Sequence, residues 1–166
     1  MAEIETKAWN VVFLTDKINP TKLVLLTRSQ DKKFAPGWVT GVGGKLKPGE
    51  DPRSSAYREL EEETGIVSVE LNEFARCIIF PDLVLYYFWG VWGNDNLPES
   101  PDGQLNWVKI DEILEQKIIP TTKVVIAEWA KINFSTSTQF TVFLTEIGRR
   151  DGIRQIETAR VENGLA

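Results

Sequence analysis

Two periodicities alternate along the chain. Trp9 to Thr15 (WNVVFLT) and Lys22 to Leu26 (KLVLL) are rich in apolar and β-branched residues. With the turn-forming stretch Asp16 to Pro20 between them, they predict a hairpin. Arg28 to Pro36 is polar and reads as a loop, and the glycine-rich stretch Gly37 to Gly49 fits no regular element. Asp51-Pro52 predicts a helix start, an N-cap followed by proline at the first helical position, and Gly65 a helix stop. Leu71 to Phe80 and Leu83 to Trp92 predict two strands joined at Pro81-Asp82. The second holds the longest apolar run, too short to cross a bilayer. Gly93 to Gly103 is a polar loop and Trp107 to Ile110 a short strand. Thr122 to Ile132 has apolar residues at helical spacing, and Gln139 to Leu144 predicts a late edge strand. Beyond Arg149 the charges alternate, and a mobile or weakly packed tail is expected. Interleaved strands and helices give an α/β class with a mixed sheet. Residues 1–150 read as one domain and 151–166 as a C-terminal tail.

Composition narrows the chemistry. The 166 residues suffice for one well-cored domain. The net charge of −5 disfavours a polymeric nucleic-acid partner. The chain has no histidine, which removes His-assisted triads and imidazole acid–base catalysis. Its single cysteine, Cys77, sits between strand-forming residues and reads as a buried, inert thiol. Catalysis is left to carboxylates, Lys, Arg, Tyr, hydroxyls, the backbone or a metal held by oxygen. The N-terminal stretch lacks the apolar core of a secretory signal, so a soluble cytoplasmic protein without a membrane partner is the expectation.

The informative segment is Gly44 to Ile66, GKLKPGEDPRSSAYRELEEETGI. On the predicted helix, Glu59, Glu62 and Glu63 stand at i, i+3 and i+4 and share a face. Carboxylates packed so closely raise one another's pKa unless a cation joins them. A hard cation such as Mg²⁺ takes oxygen ligands. Glu50 lies at the helix entrance, Gly43 and Gly44 offer backbone carbonyls, and Arg58 stands beside the acidic face, where a forked ion pair would orient a carboxylate. A run of glutamates on its own is more often a solvated surface. Here it comes with a glycine loop, a capped start and a glycine stop.

Gly44, Glu50, Arg58, Glu59, Leu60, Glu62, Glu63, Gly65 and Ile66 match every specified position of the Nudix box, G-x5-E-x7-R-E-U-x-E-E-x-G-U, with U a bulky aliphatic. A chance match in a chain of this length has odds on the order of 10⁻⁸ to 10⁻⁷. The chain thus resembles the Nudix hydrolases. The resemblance implies an α/β/α sandwich that hydrolyses a nucleoside diphosphate linked to another group, with Mg²⁺ (or Mn²⁺) as cofactor. It implies Glu59, Glu62 and Glu63 as metal ligands with a carbonyl from Gly43 or Gly44. A glutamate of the box, or an acid from a later loop, would orient or deprotonate the attacking water. Asp102, in the polar loop, matches the place of an additional acidic ligand.

Gly37-Trp38 with Gly41-Val42-Gly43-Gly44-Lys45 resembles the MutT-like branch, which removes oxidised purine triphosphates such as 8-oxo-dGTP. By that resemblance Arg28, Trp38, Thr40, Lys45 and Ile119 are candidate substrate contacts. Thr40 stands where the branch reads the base with Asn. Ile119, Thr121 and Thr122 replace a Trp and paired aspartates found in some members. Trp38, Phe34 and Tyr87 are candidates for stacking on a base, whereas Trp89, Trp92 and Trp129 read as core. The leading expectation is a triphosphate pyrophosphohydrolase releasing a nucleoside monophosphate and pyrophosphate. The alternatives are a Nudix hydrolase of ADP-ribose, a nucleotide sugar or a dinucleoside polyphosphate, and a non-catalytic nucleotide-binding module. A monomer or a homodimer is expected.

Overall fold

A computed structural model describes residues 5–166. Residues 1–4, part of the N-terminal stretch read above for a targeting signal, lie outside it. The elements run β1 (Lys7–Thr15), β2 (Lys22–Arg28), β3 (Val39–Thr40), α1 (Pro52–Thr64), β4 (Asn72–Phe80), β5 (Leu83–Val91), β6 (Gly103–Lys109), a 3₁₀ turn at Ile110–Glu115, α2 (Pro120–Lys131), β7 (Phe140–Arg150) and β8 (Ile153–Asn163). The strands form one mixed sheet in the order β3-β2-β1-β5-β4-β7-β8, with β6 on the other edge of β2. β1–β5 and β4–β7 pair in parallel and the remaining strand pairs are antiparallel.

Alternation along the strands gives the sheet two buried faces. Val12 and Leu14 of β1, with Val24 and Leu26 of β2, pack against Ala56 and Leu60 of α1. Val11, Phe13, Leu23 and Leu25 point to the other side, where Val125, Ile126 and Trp129 of α2 cover them. Helices on both faces make the expected α/β/α sandwich. Phe74 stacks on Trp129 at 4.0 Å and contacts Phe140 edge-on, so the α2 side is closed by aromatic packing. Trp129 is fully buried as expected, while Trp89 and Trp92 are only partly buried at the cluster margins. Cys77 is buried, and its thiol is pushed above the usual range by burial.

The structure revises three readings. The predicted β1–β2 hairpin is paired only at its turn end, Thr15 against Leu23. The edge of β1 that faces β2 is taken instead by the segment after β3. Val12 exchanges backbone hydrogen bonds with Val42, and the Asn10 N–H donates to the Gly44 carbonyl. β7 is not an edge strand, because it lies between β4 and β8. The segment expected to be a loose tail forms β8 and pairs with β7 from Arg150 against Ile153 to Phe140 against Asn163. Its side chains are mostly exposed, with Ile153 buried, so backbone hydrogen bonds rather than core packing hold it. Asp151 and Gly152, both at positive φ, make the two-residue turn.

Candidate active site

The box folds as its residues require. The Asp51 carboxylate caps α1, accepting from the Ser54 N–H at 2.9 Å and from the Ser54 hydroxyl at 2.8 Å. Pro52 opens the helix. Gly65, at φ 74, closes it, and its N–H donates to the Glu61 carbonyl at 2.8 Å. Ala56 and Leu60 bury the inner face and leave the glutamates on the outer and loop-facing sides.

Arg58 organises the acidic face. Its Nε and Nη2 fork onto the two oxygens of Glu50 at 2.7 and 2.9 Å. Its Nη1 donates to Glu59 at 2.9 Å and to Glu62 at 3.1 Å, and Nη2 also reaches the Lys45 carbonyl. The forked bond to Arg58 holds the Glu50 carboxyl down to about 2 and, in return, raises the guanidinium above its ordinary range. One arginine therefore ties the glycine loop to the helix and sets the directions of Glu59 and Glu62.

The Gly43-Gly44 step lies between α1 and β1 with no room for side chains. A Cβ at Gly44 would strike the Glu59 carboxyl, and one at Gly43 the Asn10 backbone carbonyl. The Gly44 carbonyl accepts from the Asn10 N–H at 2.9 Å and from Asn10 Nδ2 at 3.2 Å, which occupies its two lone pairs. The Gly43 carbonyl accepts no hydrogen bond among the described residues, so it is the one open to a ligand. Asn10 Nδ2 also donates to the Ser55 hydroxyl at 2.6 Å and pins the step against α1.

Glu63 differs from its neighbours. It is buried, and its Oε2 has no hydrogen-bond partner. Burial, then a shared proton with Asp102 and the charges of Asp102 and Glu59, push its carboxyl up to about 9, opposed in part by the Gly43 N–H. Asp102 is held below the ordinary carboxylate range. Its own burial opposes this, but the Lys32 ammonium at 2.5 Å and the Glu63 proton outweigh it. The two facing acids are thus pushed in opposite directions, Glu63 up and Asp102 down. Among the described residues, no three carboxylates converge closely enough to enclose a metal as they stand, because Glu59 and Glu62 are turned to Arg58.

Glu63, Asp102, Gly43 and Gly44 form one end of a cleft of about 420 Å³. Of the candidate substrate contacts, Arg28, Thr40 and Ile119 line it. Trp38 and Lys45 do not. Trp38 lies partly buried under the Lys117 ammonium, and Lys45 is exposed beside the loop. Of the aromatics considered for stacking, Phe34 borders the cleft, whereas Tyr87 is fully buried and bonded to the Thr122 hydroxyl. Trp9 lines the cleft and was not singled out from the sequence. Its partial exposure on an otherwise apolar strand is visible only once the fold is known. The far end is built by Lys7, Arg149, Gly152, Ile153 and Arg154, also missed because three of the five belong to the segment read as tail and Arg149 directly precedes it.

A profile of the NUDIX domain matches residues 5–129. Over 139 residues the chain is 27% identical to Nudix hydrolase 25 of Arabidopsis thaliana, covering 66% of this chain and 70% of that protein. Over 120 residues it is 35% identical to the methanol dehydrogenase activator of Bacillus methanolicus, covering 66% and 64%. The crystal structure of a MutT protein from Bacillus halodurans superposes with a TM-score of 0.70 at 20% identity, covering 95% of this chain and 97% of that one.

Proposed function

The chain belongs to the NUDIX domain family, and on that premise we propose that it hydrolyses the diphosphate linkage of a nucleoside diphosphate joined to a further group, with a divalent cation, Mg²⁺ or Mn²⁺, at the box. The observation that carries this reading is the buried Glu63 carboxyl, its Oε2 without a partner, beside Asp102 and the free Gly43 carbonyl at one end of a cleft of about 420 Å³. These groups are all oxygen donors, as a hard cation requires. Glu59 and Glu63 with the Gly43 carbonyl would hold the ion, and Glu62 and Asp102 would complete the set. A cation bound there neutralises diphosphate charge and lowers the pKa of a coordinated water.

The chain's own residues do the positioning. Arg58 holds Glu59 and Glu62 in place through its fork on Glu50, so it is a positioning residue rather than a group that meets substrate. Glu63 would hold the cation as its carboxylate, and Asp102, fixed by the Lys32 ammonium, faces it. Trp9, Ile119 and Thr40 line the space for the group attached to the diphosphate.

A narrower reading, a pyrophosphohydrolase of oxidised purine triphosphates such as 8-oxo-dGTP, draws on the Gly41-Val42-Gly43-Gly44-Lys45 string and on Arg28 in the cleft wall. The wall near α2 offers Thr121 and Thr122 in place of carboxylates, and Thr122 is spent on Tyr87. That favours the broader class. Purified protein incubated in Mg²⁺ with triphosphates, ADP-ribose, nucleotide sugars and dinucleoside polyphosphates tests both. Release of a nucleoside monophosphate that is lost in Glu63→Gln supports hydrolysis. Binding without any product would return the protein to the class of nucleotide-binding modules.

A further inference from the structure

The end of the cleft away from the box is cationic. Lys7, Arg149 and Arg154 line it, and the two carboxylates that bind them, Asp82 and Glu146, do not. Arg149 and Arg154 are direct partners across the β7–β8 ladder, a placement that like charges disfavour. Glu146 bridges them, accepting from Arg149 Nε at 2.6 Å and from Arg154 Nη1 at 2.9 Å. Asp82 accepts from the same Arg154 Nη1 at 3.0 Å, and Lys7 lies 3.8 Å from it. Three cations against two carboxylates leave an excess positive charge. Arg154 is the most enclosed of the three, with 13% of its side chain exposed. Its Nε and Nη2 donate to nothing among the described residues. The carboxylates behind it fix the guanidinium plane and leave its bidentate edge free.

Between this end and the box the wall is apolar, built from Trp9, Leu83, Leu85 and Ile119. Lys7 stands three residues before Asn10, the residue that grips the Gly44 carbonyl. At strand rise that places the cationic end about 10 Å from the box. A diphosphate at the box, a ring against the apolar wall and an anion at the far end fit this order of surfaces.

We propose that the β7–β8 hairpin supplies a subsite, centred on Arg154 with Arg149 and Lys7, for a carboxylate or phosphate carried on the group linked to the diphosphate. This rests on the diphosphate reading of the box and narrows its substrate class. A forked guanidinium pairs with either anion, and its rigid fork is stronger and more selective than a lone ammonium.

Three dinucleotides that share a diphosphate separate the two sources. Nicotinic acid adenine dinucleotide differs from NAD⁺ by a carboxylate in place of an amide, and NADP⁺ differs from it by one phosphate. Affinities are read by titration calorimetry with Ca²⁺ as the cation, on wild type, Arg154→Gln, Arg154→Lys and Lys7→Gln. The expected result is at least tenfold tighter binding of one or both anionic members than of NAD⁺. That preference falls to near unity in Arg154→Gln, is restored in part by Arg154→Lys, and weakens in Lys7→Gln. Lys7→Gln, on β1, keeps the test alive should Arg154→Gln loosen the hairpin. Equal affinities in wild type, a preference unchanged in both glutamine variants, or no binding of any of the three overturns the subsite. Equal turnover of all three would leave the hydrolase reading standing and remove only the subsite. Selective binding without turnover of any diphosphate would do the reverse.

Discussion

The box helix and the C-terminal hairpin face opposite ends of one cleft and are built by opposite rules. The box is local. Within 23 residues a cap, a proline, a fork-forming arginine and a terminal glycine fix both the helix and the direction of its carboxylates. The hairpin is remote. It lies beyond the residues matched by the NUDIX profile, buries Phe140, Val142 and Leu144 at the start of β7 but little of β8, and reaches the cleft because β7 pairs with β4 across the sheet. On the reading proposed above, the box supplies the chemistry and the hairpin a wall that selects what fits beside it. Changes in the box should therefore abolish turnover, and changes in the hairpin should alter selectivity or stability.

The largest effect expected is on the acids. Glu63→Gln and Glu59→Gln should lower kcat about 10³-fold, the scale of a lost general base or charge-stabilising group. Steady-state kinetics on whichever diphosphate is turned over, with circular dichroism confirming the fold, checks this. A hairpin variant such as Arg149→Gln with an equal loss in kcat would erase the contrast between the two regions. Next, Arg58→Ala should cost about 10–100-fold, because it frees Glu59 and Glu62 to wander. Arg58→Lys should rescue little, since an ammonium cannot fork onto Glu50 while holding Glu59. Activity measured across Mg²⁺ concentrations should show the loss partly as weaker metal dependence.

A third prediction concerns pH. Glu63 is raised from an ordinary 4.5 to about 9. Between those values the unfolded chain has lost a proton that the native chain keeps, so metal-free stability falls as pH rises through that window. Glu63→Gln should flatten the decline and melt higher in chelator at pH 8, by about 2–4 °C for each kcal/mol recovered. Thermal melts from pH 5 to 9 read it directly. A steeper decline in the variant would contradict the buried, protonated acid. The smallest effect belongs to the hairpin turn. Gly152→Ala, at φ 77, should cost about 1–2 kcal/mol and leave kcat on an unselective substrate nearly unchanged. Gly44→Ala should instead displace Glu59 and cut activity sharply.

What could be read from the sequence follows the same division. Asp51, Pro52 and Gly65 announce α1 because caps act within a few residues. Glu59, Glu62 and Glu63 announce their shared face because helical spacing is fixed. β4 and β5 are legible from their apolar alternation. The edge of β1 was not legible, because its competitors, the Val42–Lys45 segment and β2, are chosen by long-range pairing. The hairpin was misread for a different reason. The start of β7 is legible as a strand, but its far half and β8 carry charges on exposed faces, so no hydrophobic period marks them. A signal was nevertheless present, since Asp151-Gly152 is a strong two-residue hairpin turn pair. The division of labour within the box was also out of reach. Which glycine carbonyl is free, and which glutamate is buried, depends on Asn10 and Asp102, distant in the chain.

The central claim is that the box grips a divalent cation at the mouth of the cleft. Crystals grown with Mn²⁺ and a non-hydrolysable diphosphate analogue, measured for anomalous scattering, test it most directly. The account predicts a metal peak bounded by the Glu63 and Glu59 carboxylates and the Gly43 carbonyl, with the Gly44 carbonyl still bonded to Asn10. A map with the diphosphate bound and no metal at Glu63, or with the metal held elsewhere, would contradict it.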